Sequence, residues 1–219
     1  MQTIRLAERP ATLLWQGDVI VVGATLAGLA AAAAARRTGR RVCLLESGPT
    51  LAVELSRQWL NVLPESGLTI RLRGAATALS APQDAPLDIV LGTVAADQVM
   101  REDGVTALVN VAPGRLRRGA DGRLAGLEVV GKSGRQVVLA PQVVDATLGQ
   151  ALWRRESGQP CPRRTRASRR LYLKDVSLPA TEITLQVPAS LSLADRHVAV
   201  YPAARSEEHT SELQSRQVI

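Results

Sequence analysis

Six consecutive residues, Gly23-Ala24-Thr25-Leu26-Ala27-Gly28, separate a β-branched run from an alanine-rich run, and a carboxylate, Glu46, follows 18 residues after Gly28. Glycines at this spacing permit a tight turn and close packing of strand against helix. A helix starting there offers its N-terminal N–H groups to phosphate. An acid at the end of the next strand bonds ribose hydroxyls. A carboxylate in that place suits two free hydroxyls and repels a 2′-phosphate, so FAD or NAD is indicated and NADP is disfavoured. The glycine pattern does not choose between FAD and NAD. The plainer alternative is an ordinary strand–helix turn with a charged strand end.

Other chemistry is sparse. Two cysteines, Cys43 and Cys161, cannot by themselves make a disulfide framework or a four-ligand zinc site, and two histidines, His197 and His209, leave little for metal binding. Cys43 lies in an apolar run and reads as buried and inert. Cys161 stands between two prolines with no CxxC partner, and His197 reads as a surface residue. Arg163, Arg164, Arg166, Arg169 and Arg170 have the charge to meet phosphate or nucleic acid. Their one aromatic neighbour, Tyr172, makes no stacking platform, so a solvated linker is expected. No residue stands out as a catalytic acid or base. A bound redox dinucleotide would carry the chemistry itself, leaving position and electrostatics to the protein.

The elements that must position the glycine turn follow from apolar patterning. Hydrophobic residues make up 46% of the 219 residues and Phe is absent, so the core must be Val, Leu, Ile and Ala. The formal charge is +7, and of 27 basic residues only Lys132 and Lys174 are lysines, a skew that resembles GC-rich codon usage. Val19 to Val22 suits a strand buried on both faces, Leu26 to Ala35 a helix, and Arg41 to Glu46 a second strand. Together they form a βαβ unit. The 17-residue uncharged run between Asp18 and Arg36 is at the short edge of a membrane span, but its division into strand, turn and helix argues against one.

Beyond this unit the sequence predicts a helix over Thr50–Leu60 and a polar stretch from Pro64 to Pro86. A helix over 94–102 and a strand over Val105–Val111 follow. Turn signals at Ala120-Asp121-Gly122 and Lys132-Ser133-Gly134 predict a β-meander between Arg115 and Asp145, with a strand at Gln142–Thr147 and a short helix at Gln150–Ser157. Short strands are expected at Leu171–Leu173, Ile183–Val187 and Val198–Tyr201.

Residues 17–158 resemble the N-terminal half of the FAD-dependent oxidoreductases with a glutathione-reductase-like nucleotide fold. The likeness is carried by DVIVVGATLAGLAAAAAARRTGRRVCLLE, GRLAGLEVVGKSGRQVVLAPQVV and DATLGQALWRRESG. It implies an α/β, Rossmann-like FAD/NAD(P)-binding domain with a parallel sheet and a β-meander crossover. It also implies FAD as cofactor, an oxidoreductase activity on a small substrate, and a return turn at Asp145-Ala146-Thr147 that brings the chain back to the flavin diphosphate. The expected cofactor contacts are Gly23, Ala24, Thr25, Leu26, Ala27, Gly28, Glu46, Ser47, Ala146 and Thr147. Three departures thin out the glycines: Thr25 replaces the second glycine, Leu148 the glycine after Ala-Thr, and Ser47-Gly48-Pro49 lacks a glycine pair. A degenerate flavin-fold protein that binds or assembles without cofactor, and an NAD-binding dehydrogenase, are the rival readings.

The organisation expected is a nucleotide domain over 1–158, the truncated start of a β-rich substrate domain over 159–204, and a tail over 205–219. Arg205 to Ser215 resembles a translated sequencing adapter, so the tail is expected to be non-native and the chain an N-terminal fragment, inactive alone. Met1 to Trp15 contains no apolar leader, which leads to the expectation of a cytoplasmic protein with neither membrane nor nucleic-acid partner. The substrate and the oligomeric state are not readable from the residues.

Overall fold

The computed structural model describes residues 11–58, 60, 63–79 and 87–160. Its centre is a parallel sheet in the order β4-β3-β2-β8, built from Val19–Val22 (β2), Val42–Leu45 (β3), Thr106–Leu108 (β4) and Gln142–Asp145 (β8). Every residue of β2 and β3 is buried. Both faces of these strands are covered, which is why they read as unbroken apolar runs rather than alternating ones.

Side-chain parity divides the core into two halves. Val19, Val21, Val42 and Leu44 pack against helices Leu26–Arg37 (α1), Gly67–Ala78 (α3) and Ile89–Glu102 (α4). Ile20, Val22, Cys43 and Leu45 pack on the opposite face against Leu127, Val129 and Val138. Those three belong to a second sheet, ordered β1-β7-β6-β5, from Thr12–Gln16 (β1), Ala112–Arg118 (β5), Leu124–Gly131 (β6) and Gly134–Leu139 (β7). Strands β5, β6 and β7 run antiparallel as a meander, and β1 joins β7 in parallel. The result is a layer of helices, a parallel sheet and a meander. Cys43 sits fully inside it, and burial pushes its thiol up to about 12, so it stays protonated and unreactive at neutral pH.

Several sequence expectations are met: β2, α1, β3, the meander with positive φ at Gly122 and Gly134, and a helix at Ala151–Ser157 (α5). Others are corrected. The helix expected over Thr50–Leu60 shrinks to Val53–Ser56 (α2), because Ala52 adopts φ +53° and Val53 N–H donates to Ala24 O, bending the segment to follow the glycine turn. The polar stretch from Pro64 to Pro86, to which the sequence assigns no element, contains α3. A reciprocal capping box between Ser66 and Thr69 starts that helix, and Leu72 and Ala76 seat it in the core. Helix α4 starts earlier than its apolar pattern suggests, at the Asp88 N-cap. The strand expected over Val105–Val111 is confined to β4. The expected strands between 171 and 201, the arginine run, Cys161, both histidines and the tail lie outside the described residues.

Candidate nucleotide site

Strand register gathers the candidate residues. Val22 pairs with Leu45 on one side and Asp145 on the other, so Gly23, Glu46 and Ala146 emerge in one row at the carboxyl edge of the sheet. Open α/β folds bind ligands at that edge. Gly23 turns the chain at φ +98°, and a Cβ there would lie 2.7 Å from Ala146 O. A Cβ on Gly28 would lie 1.9 Å from Gly23 O. These two positions therefore exclude any side chain, and the helix, the strand and the return turn meet on their backbones.

Thr25 occupies the second glycine position without strain, at φ −69°, and acts as the N-cap of α1. Its Oγ1 accepts from Gly28 N–H at 3.0 Å and donates to Ala146 O at 2.9 Å. A threonine here could direct its hydroxyl at phosphate. Its one hydrogen is instead used inside the fold, tying the glycine turn to the return turn.

Glu46 is buried and fully engaged. Oε2 accepts from Ala24 N–H at 2.9 Å, while Oε1 accepts from Gly48 N–H at 2.7 Å, Arg57 Nη2 at 3.0 Å and Ser47 Oγ at 3.1 Å. The carboxylate thus clamps the end of β3 to the glycine turn. Ser47 is exposed, and so is Ala27 on the first turn of α1.

Two residues that sequence reasoning did not select lie at the same place. Glu54, from α2, receives Leu26 N–H on both carboxylate oxygens, at 3.0 and 2.9 Å. Arg57, three residues on, neutralises part of the acid cluster through Glu46. The only sequence signal for Glu54 was indirect: the segment after Ser47 is short of glycine.

The return turn is built differently. Asp145 Oδ1 accepts from Thr147 N–H at 3.0 Å and Thr147 Oγ1 at 2.6 Å, and Oδ2 accepts from Trp153 N–H at 2.7 Å. Thr147 Oγ1 in turn accepts from Ala151 N–H at 2.7 Å. Asp145 and Thr147 therefore satisfy the first-turn N–H groups of α5. Leu148, in place of the expected glycine, has no positive φ. Gly149 takes the left-handed conformation one residue later, at φ +73°. Leucine at position 148 therefore needs no left-handed backbone.

Residues 18–154, well over half of the chain, match the family described as FAD dependent oxidoreductase. The chain belongs to that family. No curated protein matches it. Among solved structures, THI4 from Thermovibrio ammonificans is 21% identical, with 66% of this chain and 64% of that one covered and a TM-score of 0.48. A geranylgeranyl bacteriochlorophyll reductase-like protein from Thermoplasma acidophilum is 16% identical, covering 66% and 42%, with a TM-score of 0.49. OxyS anhydrotetracycline hydroxylase from Streptomyces rimosus is 20% identical, covering 66% and 34%, with a TM-score of 0.47. The chain spans less than two thirds of the length of each of these three structures.

FAD, the family's cofactor, meets a mixed reception here. The helix N-terminus already holds an anion, the Glu54 carboxylate, so its donor chemistry suits a phosphate oxygen. The close backbone packing at Gly23 and Gly28 leaves the turn as compact as such a ligand requires. The residues fit the diphosphate once Glu54 is turned aside. Among the described residues, no cluster of His, Cys, Asp and Glu could hold a metal ion, and no helix is long and apolar enough to cross a membrane.

Proposed function

We propose that this chain supplies the dinucleotide-binding part of an FAD-dependent oxidoreductase acting on a small molecule. The observation that carries the reading is the meeting of the glycine turn, the acid at the end of β3 and the return turn in one row at the carboxyl edge of the parallel sheet. Leu26 and Ala27 N–H would receive the diphosphate at the start of α1. Glu46 and Ser47 would line the adenosine ribose and Ala146 and Thr147 the flavin diphosphate, with Gly23, Ala24, Thr25 and Gly28 holding the turn. The bound flavin would supply hydride or electron transfer. The chain's own residues bind it, orient it and hold the turn rigid.

The organisation proposed with it is a nucleotide domain over 1–158, the start of a substrate domain over 159–204 and a non-native tail over 205–219, in a cytoplasmic protein. The whole activity belongs to a longer protein, with this chain inactive alone. Titration of the purified chain with FAD, NAD and NADP, followed by flavin fluorescence and calorimetry, tests the reading. Saturable binding of FAD and none of NADP is expected. Binding of NAD without FAD would establish the dehydrogenase alternative, and binding of neither would establish the cofactor-free one.

A further inference from the structure

The start of α1 carries its own counter-anion. A helix leaves its first N–H groups without intrahelical partners and concentrates positive partial charge there. In α1 two of those groups are taken by the chain itself: Leu26 N–H by both oxygens of Glu54, and Gly28 N–H by Thr25 Oγ1. Ala24 N–H, just ahead of them, goes to Glu46. On the first turn itself Ala27, exposed to solvent, carries the other N–H. A diphosphate arriving at this turn would meet two carboxylates, and the Arg57 guanidinium there already bonds Glu46.

The two carboxylates are not equivalent. Glu46 is buried and bonds three backbone or side-chain groups besides Ala24, so it cannot leave without dismantling the turn. Glu54 is only partly buried and, among the described residues, bonds Leu26 N–H alone. It stands on a helix of four residues, whose backbone is secured independently by Val53 N–H to Ala24 O. Its side chain can therefore swing out by rotamer change while α2 stays in place.

We infer that Glu54 is an internal stand-in for the cofactor's diphosphate, a residue that sets cofactor affinity by competing for the N-terminus of α1. This rests on the proposed placement of the diphosphate at that turn. With no ligand present, Glu54 satisfies the helix end and keeps the turn ordered. On binding, one phosphate oxygen takes over the Leu26 N–H, and the displaced carboxylate must move away from a like charge. Affinity is thereby lowered twice: the hydrogen bonds between Leu26 and Glu54 have to break, and the two anions still repel each other afterwards.

The test compares the unmodified chain with Glu54→Gln and Glu54→Ala, using inorganic pyrophosphate and FAD as separate probes in calorimetry. The expected result is pyrophosphate binding at least tenfold tighter in Glu54→Ala, with a smaller gain in Glu54→Gln, whose amide oxygen still accepts from Leu26 without the charge. Glu54→Ala without ligand should melt lower than the unmodified chain and regain that loss in pyrophosphate. Pyrophosphate affinity equal in all three proteins, including none in any, would overturn the inference. If Glu54→Ala fails to fold, Glu54→Gln decides alone: an affinity no tighter than the unmodified chain's counts against it. The FAD arm separates the two claims. A gain for pyrophosphate with no FAD binding in any protein would uphold the role of Glu54 and refute the cofactor reading. FAD binding unaffected by either substitution would do the reverse.

Discussion

The two turns that meet at the carboxyl edge of the sheet are held by different forces. The glycine turn, Gly23 to Gly28, is buried except at Leu26 and Ala27, and its closeness is set by sterics: two missing side chains allow three backbone segments to touch. The return turn, Asp145 to Gln150, becomes exposed from Leu148 onward and is fixed by hydrogen bonds from one aspartate and one threonine. The glycine turn has no tolerance for a methyl group at Gly23 or Gly28, however well Glu46 and Thr25 clamp it. A turn fixed by hydrogen bonds tolerates volume but depends on particular oxygens. Thr25 joins the two regimes, as its hydroxyl caps α1 and reaches across to Ala146.

Substitutions can break this contrast at three strengths. Gly28→Ala places a methyl 1.9 Å from Gly23 O, and the backbone must separate to admit it. Overpacking of this kind should cost about 3 kcal/mol, read as a lower denaturant midpoint. A stability equal to the parent would mean that α1 and β2 are not pressed together as described. Asp145→Ala removes an acceptor from Thr147 and Trp153 but introduces no clash. A loss of about 1–2 kcal/mol is expected, with faster hydrogen exchange confined to Ala151–Ser157. Exchange that rises equally across β2 would show the two turns to be one cooperative unit. Leu148→Gly should matter least, about 0.5 kcal/mol, because the side chain is 50% exposed and its backbone needs no left-handed freedom. A clear gain in stability would mean that the leucine is strained after all.

The same contrast explains what the sequence made legible. The glycine turn, β2, α1 and β3 were readable because short-range patterning determines them: a β-branched run, a glycine pair and a leucine–alanine run in immediate succession. Helix α3 was hidden, since Arg71 and Arg73 interrupt its apolar face and only Leu72 and Ala76 are completely enclosed. Strand β1 was hidden for another reason. Most of its residues are exposed, and only its pairing with β7, far along the chain, makes it a strand. Glu46 was legible as an acid at a strand end, but its engagement with Ala24, Gly48 and Arg57 was not. Glu54 was missed because a carboxylate in a short segment has no pattern of its own; its role comes from the approach of α2 to α1.

The register of β2 also has a consequence in time. One neighbour, β3, follows directly after α1, whereas the other requires Val19 to find Gln142. A chain made at roughly 5–20 residues per second needs about 6–25 s to deliver that second partner after the first strand has emerged. Throughout that interval β2 presents an unpaired edge, and Ile20 and Val22 await the meander that will cover them. Nascent chains at this stage are therefore expected to depend on chaperones.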